Sequence, residues 1–383
     1  FTFDGEIKMN TEQLIKPISV LVAMLAAIGP VATADEVQTQ IALEPLPLAV
    51  KENYYARKLS SQLLADPGYR IWGTSVIKWT DGKYHAYYAR WPEKRGFHGW
   101  IRYSEIAHAV ADRPEGPFRT TGTVIENRNA DGWDVVNAHN PSVCVADGKI
   151  CLYYISNNLG AAAKADGESM PPSEQWQNRN MKLFRDSQCI GVAIAENPEG
   201  PFIRSKTPVV KPDNRIFKNV ACNPAVYYKD GRYTMIAKGD DPKKEDIFRI
   251  QLVGHADQPQ GPFVFQEQPI FDKTQTEDAC IWYDETARQY NCIVHVFGPT
   301  LARLVSEDSV HWREADPFTF MKKEFLMEDG SIWKPSRVER PFVLTDEKGR
   351  PQMLYLALWD AKHKLNANLA IPLKVSNSEK SGL

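Results

Sequence analysis

One short pattern occurs twice in this chain, first as HNPSVCVADGKICLYYIS from His139 to Ser156 and again as CNPAVYYKDGRYTMIAK from Cys222 to Lys238. Each copy has Asn-Pro near its start and Asp-Gly between two apolar runs. Because Asp and Gly tolerate the positive φ angles of a two-residue turn, Asp-Gly between such runs is a strong hairpin signal. The pattern therefore predicts a β-hairpin whose first strand starts with polar residues.

Three further segments follow the same pattern, one from Trp72 to Ala89 and two that begin at Glu277 and Glu339. Between the hairpins, an apolar strand followed by a turn and an aromatic residue also recurs, ending at Phe118, Phe202, Phe263 and Trp312. Repeated units of this kind are typical of β-propeller blades. The sequence therefore predicts an all-β fold, a five-bladed β-propeller with an extended N-terminal arm.

The fifth repeat has too little chain after it to complete a blade. Its outer strands must come from the segment LNANLAIPLKV near the C-terminus or from the N-terminal segment around Gln40 to Leu48. Such closure would remove the exposed strand edges of an open ring.

The N-terminal region has the layout of a secretory signal. After Met9 and Lys16 comes the apolar run ISVLVAMLAAIGPVATA, which ends in small residues before Asp35. The run is shorter than the ~20 apolar residues of a membrane span and contains Gly-Pro. We therefore expect a periplasmic or secreted bacterial protein with no membrane attachment after cleavage. The expected divisions are a leader and signal peptide at 1–34, an arm at 35–60, the propeller at 61–376 and a tail at 377–383.

Charge and cysteine content narrow the function classes. The chain has 46 basic and 48 acidic residues, and this balance argues against a nucleic-acid-binding protein. Cysteines at Cys-x-x-Cys spacing are absent from the sequence, which argues against a zinc site. Two cysteine pairs flank predicted hairpin turns, and each could form a disulfide or fill the core as free thiols: Cys144 with Cys151, and Cys280 with Cys292.

The starts of the inner strands are the candidate functional site. In a propeller these strands line a central channel, so their first residues converge at one mouth. Here they are polar or aromatic in all five repeats, namely Trp72, His139 with Asn140, Cys222 with Asn223, Glu277 with Asp278, and Glu339 with Arg340. Arg90 and Lys238 stand at the ends of two of the hairpins. Their side chains could bind hydroxyl or carboxylate groups of a ligand at the mouth of the channel.

The five repeats, with the strand ends PEGPF and the acidic tips, resemble the five-bladed glycoside hydrolases of families 43, 117 and 130. The motifs HNP…DGK and NPEGPF resemble those of family-43-like bacterial proteins in particular, and the resemblance covers about Tyr69 to Leu358. The resemblance implies hydrolysis of a glycosidic bond with inversion, and an oligosaccharide as the partner. It also admits a Ca²⁺ ion in the channel, but no loop shows calcium-ligand spacing, so we predict no metal and no cofactor.

The chain departs from the family pattern at the first blade. Family 43 enzymes have there an Asp that acts as general base, whereas this chain has Trp72-Gly73-Thr74. Asp131 or Asp134, on the loop before the second hairpin, could supply the missing carboxylate. Because family 117 enzymes use a His as general acid, His139 or His295 could take part.

Hydrolysis of a glycoside generally requires two carboxyl groups. The predicted catalytic residues are therefore Glu277, Glu339, Asp278, Asp134 and His139. On an extended strand, Asp278 should point away from Glu277, so we expect only one of the two to face the substrate. The predicted substrate-binding residues are Trp72, Arg90, Asn140, Asn223, Lys238, His295 and Arg340.

Two alternatives to a hydrolase stay open. A phosphorylase would need a basic phosphate pocket, for which Arg340, Lys238 and Arg90 are candidates. A sugar-binding propeller without catalysis is suggested by the missing carboxylate in the first blade. The sequence leaves the sugar, its linkage, any sulfate group and the oligomeric state open.

Overall fold

The computed structural model describes residues 38–378 and forms a five-bladed β-propeller, which confirms the predicted fold class. Each blade contains four antiparallel strands, which follow one another in sequence from the channel outward in blades one to four. The predicted signal peptide and most of the predicted tail lie outside the described residues. No helix within residues 38–378 is long and apolar enough to cross a membrane.

The first four blades are each built from consecutive strands. Blade one contains Tyr69–Lys78, Tyr84–Pro92, Glu105–Ala111 and Arg119–Ile125. Blade two contains Val136–Ala146, Lys149–Asn157, Gln188–Ala195 and Ile203–Arg204. Blade three contains Lys218–Lys229, Arg232–Asp240, Arg249–Ala256 and Val264–Phe265. Blade four contains Thr276–Asp284, Gln289–Val296, Thr300–Ser306 and Arg313–Lys322.

Blade five joins the two ends of the described chain. Its strands are Arg337–Thr345, Pro351–Asp360, Leu365–Ser378 and Gln38–Leu43. Both segments proposed for closure are therefore used, and residues 38–43 of the expected arm are the outermost strand of this blade. Short strands beside it are Leu63–Leu64, Phe325–Leu326 and Ile332–Trp333.

Helices are confined to a few connections. They are Leu48–Ala56, Trp100–Tyr103, Gly160–Ala165, Glu174–Arg179 and Met181–Asp186, with 3-10 turns at Glu93–Arg95 and Phe97–Gly99. The three helices between residues 160 and 186 form the insertion of blade two. They bury Trp176 and Phe184 in a small core that they share with Val135 and Val136 of blade two, so Trp176 anchors the insertion and is not exposed to a ligand.

The phenylalanines of three repeated turns hold neighbouring blades together. Phe118, Phe202 and Phe263 each lie about 6 Å, between ring centroids, from a tyrosine of the preceding blade. Each of those tyrosines donates a hydrogen bond to a proline carbonyl in the same turn, namely Tyr355 to Pro114, Tyr87 to Pro198 and Tyr153 to Pro259. The repeated turn is therefore an inter-blade contact.

The second hairpin has the predicted turn, but the cysteines beside it do not form a disulfide. Asp147 and Gly148 have φ angles of 50° and 75°, as a two-residue turn requires. Cys144 and Cys151 are directly opposed across that turn, yet all six cysteines are free and buried. Neither proposed disulfide forms, and the thiols fill the core.

Candidate active site

Every inner strand has a β-bulge near its start, and the bulge contains one residue in the left-handed conformation. These five residues have φ angles of 49° to 58° and occupy equivalent positions: Gly73, Asn140, Asn223, Asp278 and Arg340. Gly, Asn and Asp are the residues that adopt this conformation most readily. A bulge redirects side chains, so these residues turn toward the channel instead of following the alternation of a regular strand.

The four side chains of this set form a chain of hydrogen bonds across the channel, which we call the channel ring. Asn140 donates to Asn223 at 2.8 Å, and Asn223 donates to Asp278 at 2.7 Å. The Arg340 guanidinium donates to the same carboxylate oxygen of Asp278 at 3.3 Å. A Cβ atom on Gly73 would lie 3.2 Å from Arg340 Nε, so glycine leaves room for the guanidinium. The channel ring is thus a buried polar network that joins four blades.

The channel ring does not fit a calcium ion. Asp278 is its one carboxylate among the described residues, and the Arg340 guanidinium already pairs with it. Ca²⁺ takes six to eight oxygen ligands, and a second cation beside Arg340 would meet its positive charge.

The residue before each of the five left-handed residues lies at the mouth of the channel, and we call these five preceding residues the rim: Trp72, His139, Cys222, Glu277 and Glu339. They surround a pocket of about 330 Å³, close to the lower limit of typical small-ligand sites. The hairpin repeat thus places corresponding residues of all five blades around one pocket, as the sequence pattern predicts.

One wall of the pocket is aromatic. It is formed by blade one and the connection that follows its second strand, with Trp72, Trp91, Phe97 and Trp100. The imidazole of His139 stacks on Trp100 with ring centroids 4.7 Å apart. Aromatic faces of this kind can pack against the apolar face of a sugar ring.

The opposite wall is charged, and Glu277 lies at its centre. Lys238 donates to Glu277 Oε2 at 3.0 Å, and Arg249 Nε lies 3.8 Å from the same oxygen. Oε1 lies 3.8 Å from His295 Nδ1. Burial alone would raise the pKa of this carboxyl, but Lys238, Arg249 and His295 together lower it to about 2. Glu277 is therefore ionised at any ordinary pH.

Glu339 occupies the corresponding position on blade five and has the opposite electrostatic environment. Its nearest cation is Arg337, at 3.4 Å. Burial and the charges of Asp278 and Glu277 raise the pKa of Glu339 to about 7, and Arg337 and Lys323 only partly oppose this effect. The rim therefore contains one ionised carboxylate, Glu277, and one carboxyl group, Glu339, that is still partly protonated at neutral pH.

Two predicted site residues do not reach the pocket. Asp134 is fully buried in blade two, where it accepts hydrogen bonds from Tyr154 and Arg204. Arg90 pairs with Asp66 and Glu105 inside blade one. Both predictions are corrected: the two residues neutralise charge within the blades and do not line the pocket.

The other predicted residues lie in or beside the pocket, with some changes of role. His139 is buried, and burial together with Arg340 holds its pKa well below the ordinary value, so it is neutral and not an acid. Asn140, Asn223, Asp278 and Arg340 belong to the channel ring. Asp278 faces the channel beside Glu277, contrary to the expectation from regular strand alternation, because the bulge redirects it.

Sequence reasoning missed several residues of the pocket: Phe97, Trp100, Arg185, Arg249 and Arg337. Arg337 stands two residues before Glu339 on the same strand, so strand alternation was a usable signal. Phe97 and Trp100 stand among glycines in GFHGW, a pattern typical of an aromatic turn. Arg185 and Arg249 come from the insertion and from a third strand, and no local pattern marks them.

Comparison with known proteins establishes the fold. No protein-family model and no curated protein matches the chain. Zg3597, a family 117 glycoside hydrolase of the marine bacterium Zobellia galactanivorans, matches with a TM-score of 0.58 and 15% identity over 89% of this chain and 92% of that chain. A thermostable family-43 glycoside hydrolase matches with a TM-score of 0.57 and 13% identity over 85% and 98% of the respective chains.

A third solved structure was obtained with an oligosaccharide. It is CoXyl43, a GH43 beta-xylosidase/alpha-arabinofuranosidase from a compost microbial metagenome, in complex with xylotriose. It matches with a TM-score of 0.50 and 14% identity over 84% of this chain and 94% of that chain. The chain thus has the five-bladed propeller fold found in glycoside hydrolases of families 117 and 43.

Proposed function

We propose that this protein is an exported glycoside hydrolase that removes a terminal sugar from a plant or algal oligosaccharide. The observation that carries the proposal is the pair of glutamates, Glu277 and Glu339, at equivalent rim positions of adjacent blades around one pocket. Glu277 is held ionised by Lys238 and Arg249, whereas Glu339 has Arg337 alone within ion-pair distance among the described residues, so the two carboxyl groups differ in protonation, as acid–base hydrolysis requires.

Glu339 is the proposed general acid. It lines both the pocket and a neighbouring groove of about 460 Å³. A general acid must reach the oxygen that joins the terminal sugar to the rest of the substrate, and this oxygen lies where pocket and groove meet. Glu339 would donate its proton to that oxygen as the bond to the anomeric carbon breaks.

Glu277 is the proposed general base. Its Oε2 is held by Lys238, whereas Oε1 has no ion-pair partner closer than 3.8 Å within the described residues. Oε1 would accept a proton from the water molecule that attacks the anomeric carbon. This arrangement gives inversion, as the resemblance implies, and the aromatic wall would hold the sugar ring.

A binding function without catalysis is the second candidate, favoured by Gly73 at the position where family 43 enzymes have a carboxylate. The test is incubation with a panel of plant and algal oligosaccharides, with and without inorganic phosphate, followed by product analysis. Release of a free terminal sugar without phosphate supports hydrolysis. Cleavage that requires phosphate indicates a phosphorylase, and binding without any cleavage indicates the second candidate.

Export is proposed from the leader alone. We expect the mature N-terminus near Asp35, and N-terminal sequencing of protein from the native host measures it. Retention of the apolar run would contradict a cleavable signal.

A further inference from the structure

The charged side chains that line the groove beside the pocket are mainly basic, and we call it the basic groove. It lies between blades four and five and shares Arg337 and Glu339 with the pocket. Its other titratable lining residues are His295, Lys322, Lys323, Glu324 and Lys334. A substrate whose terminal sugar fills the pocket would place its next sugar in this groove.

The positive charges of the basic groove are only partly neutralised. Lys334 lies 3.4 Å from Glu324, and Arg337 lies 3.4 Å from Glu339. Within residues 38–378, neither Lys322 nor Lys323 forms an ion pair with a carboxylate. The groove therefore retains more positive than negative charge, above all when Glu339 holds its proton.

Lys323 is the most informative of these residues because it is half-buried. Its ammonium donates to the carbonyl of Gly298 at 2.8 Å and also contacts His295 Nε2, both of them neutral groups. Burial lowers the pKa of Lys323, although the charges of Glu339, Asp278 and Glu277 oppose this effect. Neutral partners leave the ammonium charge uncompensated, which is unfavourable for a half-buried cation.

Several basic side chains that are shielded from solvent have acidic partners, whereas Arg70 and Arg303 donate to backbone carbonyls in the interior of the protein. Arg90 pairs with two carboxylates in blade one, Arg204 with Asp134, and Arg185 with Asp240. Lys323 differs from Arg70 and Arg303 because it lines the basic groove beside the pocket, where a ligand could provide the missing negative charge.

We infer that the basic groove binds an anionic group, a carboxylate or a sulfate, on the sugar next to the terminal one. The substrate class would then be an acidic oligosaccharide. The inference rests on the proposed function for the placement of the two sugars, but the affinity for acidic sugars can be tested without cleavage.

The chemistry of the groove suits such a group. The Arg337 guanidinium lies 5.3 Å from the Phe97 ring centroid, so its planar fork is held at the junction of pocket and groove. Lys322 and Lys323 add ammonium groups, which can bind an anionic group that approaches from any of several directions. A guanidinium fork with neighbouring ammonium groups recognises carboxylate and sulfate oxygens through charge-assisted hydrogen bonds.

The experiment measures binding by isothermal titration calorimetry with the full chain at low ionic strength. The probes are matched pairs: an oligogalacturonate and its carboxyl-reduced form, and a sulfated carrageenan oligosaccharide and its desulfated form. Inorganic phosphate alone is the third arm. The variants are Lys323→Gln and Lys322→Gln, and the exposed Lys149→Gln, in a hairpin of blade two, is the matched control.

We expect the acidic member of at least one pair to bind about 10-fold more tightly than its neutral counterpart, as one charge-assisted contact would provide. Lys323→Gln should abolish most of this preference, Lys322→Gln should reduce it, and Lys149→Gln should leave it unchanged. Because Lys322 is exposed, its variant keeps the test decisive if Lys323→Gln does not fold. The preference should also weaken as salt is added.

The outcomes separate this inference from the proposed function. If acidic oligosaccharides bind in a way that depends on Lys322 and Lys323 but no oligosaccharide is cleaved, the inference is supported and the proposed hydrolase activity fails. Cleavage of neutral oligosaccharides with no advantage for acidic ones overturns the inference alone. Equal binding within every pair, no binding of any acidic probe, or cleavage driven only by phosphate would also overturn it.

Discussion

Glu277 and Glu339 occupy the same position on adjacent blades, and their side chains are equally exposed, at 17% each. Their pKa values nevertheless shift in opposite directions. Since exposure is the same, the difference comes from the neighbours. Lys238 and Arg249, from the second and third strands of blade three, reach Glu277, whereas Glu339 has only Arg337 within ion-pair distance among the described residues.

The comparison shows that a blade determines the position of its rim residue and that the neighbouring blade determines the charge. The inner strand, with its bulge, places a rim residue at the pocket. The second and third strands of the preceding blade then decide whether a carboxyl group at the rim is ionised. A repeat can therefore supply equivalent positions while the residues around them produce an acid on one blade and a base on the next.

Replacement of either glutamate should have the largest effect. Glu277→Gln and Glu339→Gln preserve shape and remove the ionisable group, so each should lower turnover by about 10²–10⁴ on a substrate that the wild type cleaves. Steady-state kinetics measures the effect. Glu285→Gln, an exposed carboxylate paired with Lys229, is the control and should be near normal. Near-normal turnover in both rim variants would show that neither residue is catalytic.

The adjacent channel ring should respond in stability. Arg340→Met leaves Asp278 buried without its cation, and breaking a buried pair costs about 3–5 kcal/mol in the free energy of unfolding. Arg337→Met, three residues away on the half-exposed side of the same strand, should cost less than about 1 kcal/mol. Urea denaturation measures both. Similar losses would contradict the division between a structural ring and a functional rim.

Much of this arrangement was predictable because it depends on repetition. Hairpin starts converge in any propeller, so Glu277, Glu339 and His139 could be assigned to one mouth from their place in the repeat. Asp278 could not be placed correctly, because strand alternation says nothing of a bulge with a left-handed residue. Arg90 closes its hairpin much as Lys238 does, yet Asp66 and Glu105 draw it into blade one.

The difference in pKa should also appear in the pH dependence of stability. The pKa of Glu339 is raised in the folded state from 4.5 to about 7. Its contribution is therefore present below pH 4.5 and is lost as pH rises toward 7, by up to about 3 kcal/mol. Glu277 behaves oppositely: its contribution is present above pH 4.5 and is lost as pH falls toward 2. Buried histidines with lowered pKa values also titrate in this range, so the test is the difference in unfolding free energy between variant and wild type, measured by denaturation between pH 4 and 8. This difference should change strongly with pH for Glu339→Gln and much less for Glu277→Gln.

Removal of the cation that holds Glu277 ionised should have the smallest effect. In Lys238→Met, Glu277 keeps only the more distant Arg249 and His295, so its pKa should rise by about one unit or more. Because kcat/KM falls when the base is protonated, the acidic limb of the pH profile should move upward.

The alkaline limb of the same profile depends on Glu339 and should stay near pH 7, because Glu339 cannot act as the general acid once it has lost its proton. Lys229→Met, which removes a cation paired with Glu285 far from the rim, should move neither limb. An unchanged acidic limb in Lys238→Met would mean that Glu277 is not the group that must be ionised. A shift of both limbs would mean that the two carboxyl groups titrate as one coupled pair, and the separate assignment of acid and base would then fail.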